Sequence, residues 1–208
     1  MRPVIWYFDF VSPFSYLCFA RLRELPPDVA VDFRPVLFAG LLNHWGQKGP
    51  AELPSKRRYT YRWCAWWARR LGIPFRFPAA HPFNPLQHLR LAIACGCTPE
   101  ALRRIFEALW TSGADAADPQ AFAALARSLG LDEARLGAAE VKNALRRNTE
   151  DAAARGVFGV PTFEVDGELF WGADSLEFVK AFLADGSVVR NEETRRLDAL
   201  PVAAARKV

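Results

Sequence analysis

The sequence predicts an α/β fold in which a small sheet is interrupted by a long helical insertion. Two observations carry this. Strand-like segments rich in β-branched and aromatic residues, with the alternation of strands, occur only before residue 38 and after residue 155. Between them, Ala, Leu and Arg dominate at helical spacing, and strand-type alternation is absent.

Each element follows in order. Residues 3–10, PVIWYFDF, read as a first strand. Ser12-Pro13 then opens a helix, because Ser is a favoured N-cap and Pro a favoured first residue. That helix is expected to run through Tyr16, Leu17, Phe19, Ala20 and Leu22 and to stop before Pro26-Pro27. Residues 29–37 read as a second strand, parallel to the first because a helix connects them. Helices are expected near 55–71, 85–95, 99–112, 119–129 and 138–155, with boundary signals at Gly72, Thr98-Pro99-Glu100 and Asp118-Pro119. Strands return at 162–165 and 168–171, joined by the turn signal Asp166-Gly167. Residues 174–184 form a last amphipathic helix, and the polar, then Ala-rich segment after Asp185 is expected to be loose. The order is βαβ, a helical block, then ββα. Joined, the end pieces make a four-stranded sheet of the thioredoxin type. The expected fold class is therefore α/β, thioredoxin-like with a large all-helical insertion. Residues 1–37 and 156–190 form a discontinuous thioredoxin-like domain, 38–155 an inserted helical domain, and 191–208 a C-terminal tail.

Bulk properties narrow the function class. No apolar run reaches the roughly 18 residues of a membrane span. The opening MRPVIWYFDF reaches Asp9 too soon for a secretory leader, so a cytoplasmic location is expected. The cysteines, Cys18, Cys64, Cys95 and Cys97, include no C-x-x-C pair, and the Cys95-Gly96-Cys97 spacing is too tight for a usual disulfide or zinc knuckle. Reduced, mostly buried thiols and no metal site are expected. The formal net charge of +4 gives only a weak preference for anions.

Four stretches carry candidate chemistry. In Ser12-Pro13-Phe14-Ser15, serines stand where a dithiol protein of this topology has its C-x-x-C pair, so disulfide exchange there is excluded. A hydroxyl at a helix start either stabilises an external thiolate or serves only as an N-cap. In GVFGVPTF, Val160-Pro161 precedes a strand; a cis bond there would turn the Val160 backbone toward an extended peptide guest. In WGAD, Asp174 either accepts a ligand ammonium group or caps the last helix. The Gly- and Pro-marked loop from Asn43 to Pro50, with Gln47, Lys48 and the following Lys56, offers polar groups for carboxylates, or is a plain solvated loop. Along residues 56–70, Tyr59, Trp63, Trp66 and Trp67 fall on one helical stripe. They are expected to pack in the core or form a pocket wall, which argues against nucleic acid as a partner. His81 and Asn84, in a Pro-punctuated loop, either line an acceptor pocket, as Trp45, Tyr59 and Trp63 are expected to, or are ordinary turn residues.

Together DFVSPFSYL, GQKGP with PSKR, GIPFRFP, GVFGVPTF and WGAD, in this order from residue 9 to 174, resemble the DsbA-like branch that includes 2-hydroxychromene-2-carboxylate isomerase and kappa-class glutathione transferase. The resemblance implies glutathione as cofactor. It implies that Ser12 holds the glutathione sulfur as thiolate, with Pro13 and Phe14 beside it. It implies a backbone clamp at Val160 before Pro161, Asp174 on the γ-glutamyl end, and Lys56 as a basic residue near the glutathione site. Gln47 stands where members often carry Asn, and Ala173 where others carry Ser or Asn, which puts affinity in question rather than cofactor identity. The implied activity is isomerisation of an aromatic-degradation intermediate by reversible thiolate addition. The alternatives are a kappa-like transferase or peroxidase, a dithiol oxidoreductase, or a non-catalytic glutathione-binding protein. The implied partners are glutathione and a small aromatic or conjugated carbonyl substrate, with no membrane or nucleic acid. Relatives are often dimers, so a homodimer is expected.

Overall fold

The computed structural model describes residues 2–131 and 133–204. Strands β1 (Arg2–Phe8), β2 (Val29–Pro35), β3 (Thr162–Val165) and β4 (Glu168–Trp171) form one mixed sheet in the order β2-β1-β3-β4. β1 and β2 are parallel, with Val4 opposite Val31. β3 runs antiparallel to β1, with Trp6 opposite Phe163, and β4 antiparallel to β3. Asp166 (φ 50°) and Gly167 (φ 84°) make the hairpin turn, both in the left-handed region that a tight two-residue hairpin demands.

The central position of β1 explains its apolar sequence. Val4, Trp6 and Phe8 face one side, Tyr7 the other, and all are buried. On the first side Trp6 stacks on Phe8 at 4.8 Å, and Phe10 meets Phe106 at 4.6 Å. On the second, Tyr7 packs with Val36, Leu41, Ala152, Val157 and Val160.

The helices are α1 (Pro13–Phe19), α2 (Phe38–His44), α3 (Pro54–Arg70), α4 (Leu86–Ala94), α5 (Pro99–Trp110), α6 (Pro119–Ser128), α7 (Glu133–Leu136), α8 (Ala139–Ala154), α9 (Leu176–Ala184) and α10 (Glu192–Asp198). Leu102, Ile105, Phe106 and Trp110 of α5 share one core with Trp6, Phe163 and Phe182. The insertion is therefore fused to the sheet through buried apolar surface, at roughly 25 cal/mol per Å² of area removed from water.

Four expectations need correction. The first helix is shorter than its pattern suggests: it ends at Phe19, and a separate 3-10 turn follows at Leu22–Glu24. The short α2 carries no sequence signal; it is held by packing, with Gly40 so near α8 that an added Cβ would lie 3.0 Å from Thr149 Cγ2. The tail holds a helix at 192–198, where the Asn191 side chain accepts from the Thr194 N–H at 2.9 Å. Finally, the core-facing line of α3 is Cys64 and Ala68; of the aromatic stripe, Trp63 and Trp67 pack against the core, Tyr59 is 69% exposed on the wall of the cleft described below, and Trp66, 51% exposed, does neither. Small residues take that line because they let the helix axis approach closely. Trp63 and Trp67 flank it half-buried, 4.6 Å apart. All four cysteines are free; Cys18 and Cys64 are buried, while Cys95 and Cys97 are half-buried.

Candidate active site

β1 ends in a tight turn that presents Ser12. Asp9, fully buried, organises this turn. Its carboxylate accepts the Val11 N–H at 3.0 Å and the Phe38 N–H at 2.9 Å, and its carbonyl accepts the Ser12 N–H at 3.1 Å. Burial pushes the Asp9 carboxyl up to about 7, against the pull of the N–H donors. From the insertion, the Trp110 indole N–H donates to the Phe10 carbonyl at 3.0 Å.

Ser12 caps α1: its Oγ accepts the Ser15 N–H at 3.2 Å. The same oxygen lies 3.4 Å from the Val160 carbonyl, to which it donates. The Val160–Pro161 bond is cis. The Pro161 carbonyl accepts the Gly172 N–H at 2.9 Å, which fixes the start of the WGAD turn against the proline loop. No hydrogen bond of the Val160 N–H occurs among the described residues.

Between these segments and α3 lies a cleft of about 650 Å³. Phe14, Lys56, Tyr59, Trp63, Val160, Ala173 and Asp174 line it, so seven of the residues singled out from sequence meet here. Ser12, Pro13 and Pro161 are buried and not part of the wall itself: Ser12 is 6% exposed and reaches the wall through its 3.4 Å hydrogen bond to the Val160 carbonyl. The wall carries one cation, Lys56, and one anion, Asp174, both exposed and neither with a partner among the described residues. Asp174 makes no cap hydrogen bond, either to its own 3-10 turn or to α9, so the helix-cap alternative does not account for it.

Four expected site residues stand elsewhere. Gln47 is exposed and outside the wall; its N–H closes the end of α2 on the Leu42 carbonyl. Trp45 uses its indole N–H on the Val157 carbonyl at 2.9 Å, which ties α2 to the chain leading into Val160. Asn84 is exposed and accepts the Leu86 N–H at 3.1 Å, holding the start of α4. His81 has both ring nitrogens engaged within the protein, one with Tyr61 and one with the Val11 carbonyl. Trp45 and His81 thus spend their ring nitrogens within the protein and Asn84 its side-chain oxygen on the backbone, whereas the Gln47 side chain, with no hydrogen bond among the described residues, simply stands outside the wall.

Sequence reasoning assigns no role to Trp171, Gly172, Ser55 or Pro50, although they lie in the stretches it singles out, nor to Thr60; all five are in the wall. Trp171 is 57% exposed and leans on Phe158, with ring centroids 5.1 Å apart. It also covers Gly159 so closely that a Cβ there would come within 2.5 Å of the indole nitrogen. The pairing of Gly159 with Trp171 was the available signal, but only the hairpin brings the two together. Among the described residues, no group of three metal-ligating side chains could hold an ion.

A family model described as a DSBA-like thioredoxin domain matches residues 3–184. The 2-hydroxychromene-2-carboxylate isomerase of Pseudomonas putida is 32% identical over 188 residues, covering 83% of this chain and 90% of that protein. Glutathione S-transferase kappa 1 of Homo sapiens is 28% identical over 207 residues, covering 88% and 92%. A solved structure of 2-hydroxychromene-2-carboxylate isomerase superposes with a TM-score of 0.75 at 27% identity, over 96% of this chain and all of that one.

Proposed function

Since this chain belongs to the DSBA-like thioredoxin domain family, in the branch that contains 2-hydroxychromene-2-carboxylate isomerase, we propose that it is a glutathione-dependent isomerase acting on an aromatic-degradation intermediate. The observation that carries this reading is the set of unmet polar groups around one cleft: the Val160 N–H, the Asp174 carboxylate and the Lys56 ammonium, with the Ser12 hydroxyl behind them. These are the groups that an extended, zwitterionic tripeptide with a thiol would satisfy.

Bound glutathione supplies the thiolate that adds reversibly to a conjugated carbon of the substrate. The protein's own groups do the rest. The Ser12 hydroxyl, now on the Val160 carbonyl, turns its hydrogen to the sulfur and favours the ionised form. The Val160 N–H pairs with the peptide as an edge strand would. Asp174 accepts the γ-glutamyl ammonium, and Lys56 faces a carboxylate. Phe14, Tyr59, Trp63 and Trp171 give the acceptor flat apolar walls that orient it and exclude water. In the same proposal the enzyme is a cytoplasmic homodimer without membrane or nucleic-acid partners. No described helix is long and apolar enough to cross a membrane.

Titration calorimetry tests the cofactor. Glutathione is expected to bind the wild type, and Asp174→Asn is expected to weaken binding about 10-fold or more, because a charge-assisted hydrogen bond is worth roughly 1.5–3 kcal/mol. Its unfolding midpoint should hardly move, since Asp174 caps nothing. No heat with the wild type would remove the reading.

A second reading, a kappa-like transferase or peroxidase, is favoured by the full-length similarity to the human kappa protein. Product analysis separates the two: an isomerase returns glutathione unchanged, whereas a transferase leaves it in the product and a peroxidase oxidises it. Dithiol oxidoreductase activity is disfavoured because positions 12 and 15 hold serine and all four thiols lie elsewhere. An insulin-reduction assay should read background.

A further inference from the structure

The strongest uncommitted cluster lies on the far side of the Ser12 turn. His81 Nε2 is 2.7 Å from the Val11 carbonyl, the peptide that enters Ser12. His81 Nδ1 is 2.6 Å from the Tyr61 hydroxyl, which also approaches the His81 carbonyl at 2.8 Å. Tyr61 belongs to α3, the helix that brings Lys56, Tyr59 and Trp63 to the cleft. The Phe77 and Trp110 rings enclose the imidazole at 5.6 Å each, and Phe83 at 6.1 Å.

We propose that Tyr61 and His81 form a brace that sets where the Ser12 hydroxyl stands relative to the cleft wall, which makes both of them positioning residues. The consequence for catalysis rests on the glutathione reading above; the brace itself does not.

The argument is one of hydrogen-bond accounting. The Val11 carbonyl can only accept, so Nε2 must carry a proton. Burial, with Arg57 as the charged neighbour, pushes the imidazole toward its neutral form, leaving a single ring proton. Nδ1 then presents a lone pair to the Tyr61 oxygen at 2.6 Å, and the one Tyr61 proton is shared between Nδ1 and the His81 carbonyl, to which the hydroxyl donates at 2.8 Å. The Val11 carbonyl thus sets the tautomer, and Tyr61, by engaging Nδ1 and the His81 carbonyl together, holds the ring in place against that peptide. Asp9 grips the N–H of Val11, while His81 grips its carbonyl. Trp110 fixes the carbonyl one residue earlier. Two of these three grips come from the insertion, so the serine's place is set by residues outside the sheet.

The first arm of the test uses the protein without any ligand. NMR of His81 should show a proton on Nε2 in the wild type, and in Tyr61→Phe that proton should move upfield as the ring loses its hold and the hydrogen bond to the Val11 carbonyl lengthens. The second arm follows the ultraviolet absorbance of bound glutathione thiolate against pH, with turnover. In Tyr61→Phe the thiol pKa is expected to rise and kcat to fall by about 3- to 10-fold, the worth of one net hydrogen bond. Glutathione affinity should stay near wild type, because Val160, Lys56 and Asp174 are untouched. His81→Gln, which restores a donor near the Val11 carbonyl, should keep more activity than His81→Ala. An unchanged Nε2 proton signal in Tyr61→Phe, or an unchanged thiol pKa and kcat in folded Tyr61→Phe and His81→Ala, overturns the brace even if both melt earlier. If the Nε2 proton signal moves as expected but the wild type binds no glutathione, the brace stands and the functional reading fails.

Discussion

Replacing Ser12 with alanine is expected to lower glutathione-dependent turnover by roughly 10- to 100-fold. The estimate follows from losing a hydrogen bond to an ionised sulfur, worth about 1.5–3 kcal/mol. The effect should fall on kcat and on the pH at which the bound thiol ionises, with little change in glutathione affinity. Ser12 also caps α1 through the Ser15 N–H, so alanine should cost about 1 kcal/mol of stability. Glycine resolves the two roles. It removes the hydroxyl as completely, yet at a cap it costs only a few tenths of a kcal/mol. Ser12→Ala and Ser12→Gly should therefore share one kinetic defect while differing in denaturant midpoint. A kinetic loss that tracked stability instead would reduce Ser12 to a cap.

The largest effect on stability should come from Asp9 and should depend on pH. Its folded carboxyl keeps a proton up to about pH 7, whereas the unfolded chain releases it near 3.8. Between those values the folded state binds more protons, so its stability falls as pH rises, by as much as about 1.4 kcal/mol per unit. The total is of the order of 4 kcal/mol. His88 acts in the opposite sense. Burial drives its pKa down to about 4 from the usual 6.5, so its contribution rises with pH over that interval. The raw curve of the wild type therefore mixes two slopes. The difference between wild type and Asp9→Asn isolates the carboxyl: it should decline from pH 4 to pH 7 and then level off. A flat difference across that range in urea titrations would show that Asp9 is not protonated in the fold.

Much of the architecture was legible because it rests on local chemistry. Thr98 and Asp118 were read as caps from their neighbours, and their side chains do accept the Ala101 and Gln120 N–H groups. The Asp166-Gly167 turn needs only its own two residues. What escaped depends on packing between distant segments. α2 is two turns long, too short for a period to register, and Thr149 from α8 holds it in place by accepting the Leu37 N–H. On α3 the aromatic stripe holds for Tyr59, Trp63 and Trp67, which line the cleft or pack on the core, and fails for Trp66; the line nearest the core is Cys64 and Ala68, whose small size lets the helix approach. The same division holds in the cleft. Ser12 and Val160 sit next to Pro, and Asp174 lies two residues after Gly172; those motifs marked the positions, and the family resemblance supplied their roles. Trp171 gains its place only through Gly159, and His81 takes its role only from Tyr61 and Val11.

The pairing of β1 with β3 joins Trp6 to Phe163 across almost the whole chain. On the ribosome, β1 and β2 emerge early and can zip together, but the other margin of β1 stays bare until Val165 is out. At about 5–20 residues per second, that interval lasts roughly 10–30 s. During it, Ile5, Trp6 and Tyr7 present an apolar strand edge to any neighbouring chain. The all-helical insertion is made in that window, and it includes α5, whose Phe106 covers Trp6 and Phe8 on one face of β1 in the folded protein. A nascent chain stopped before residue 162 would carry that guard and still lack its final partner.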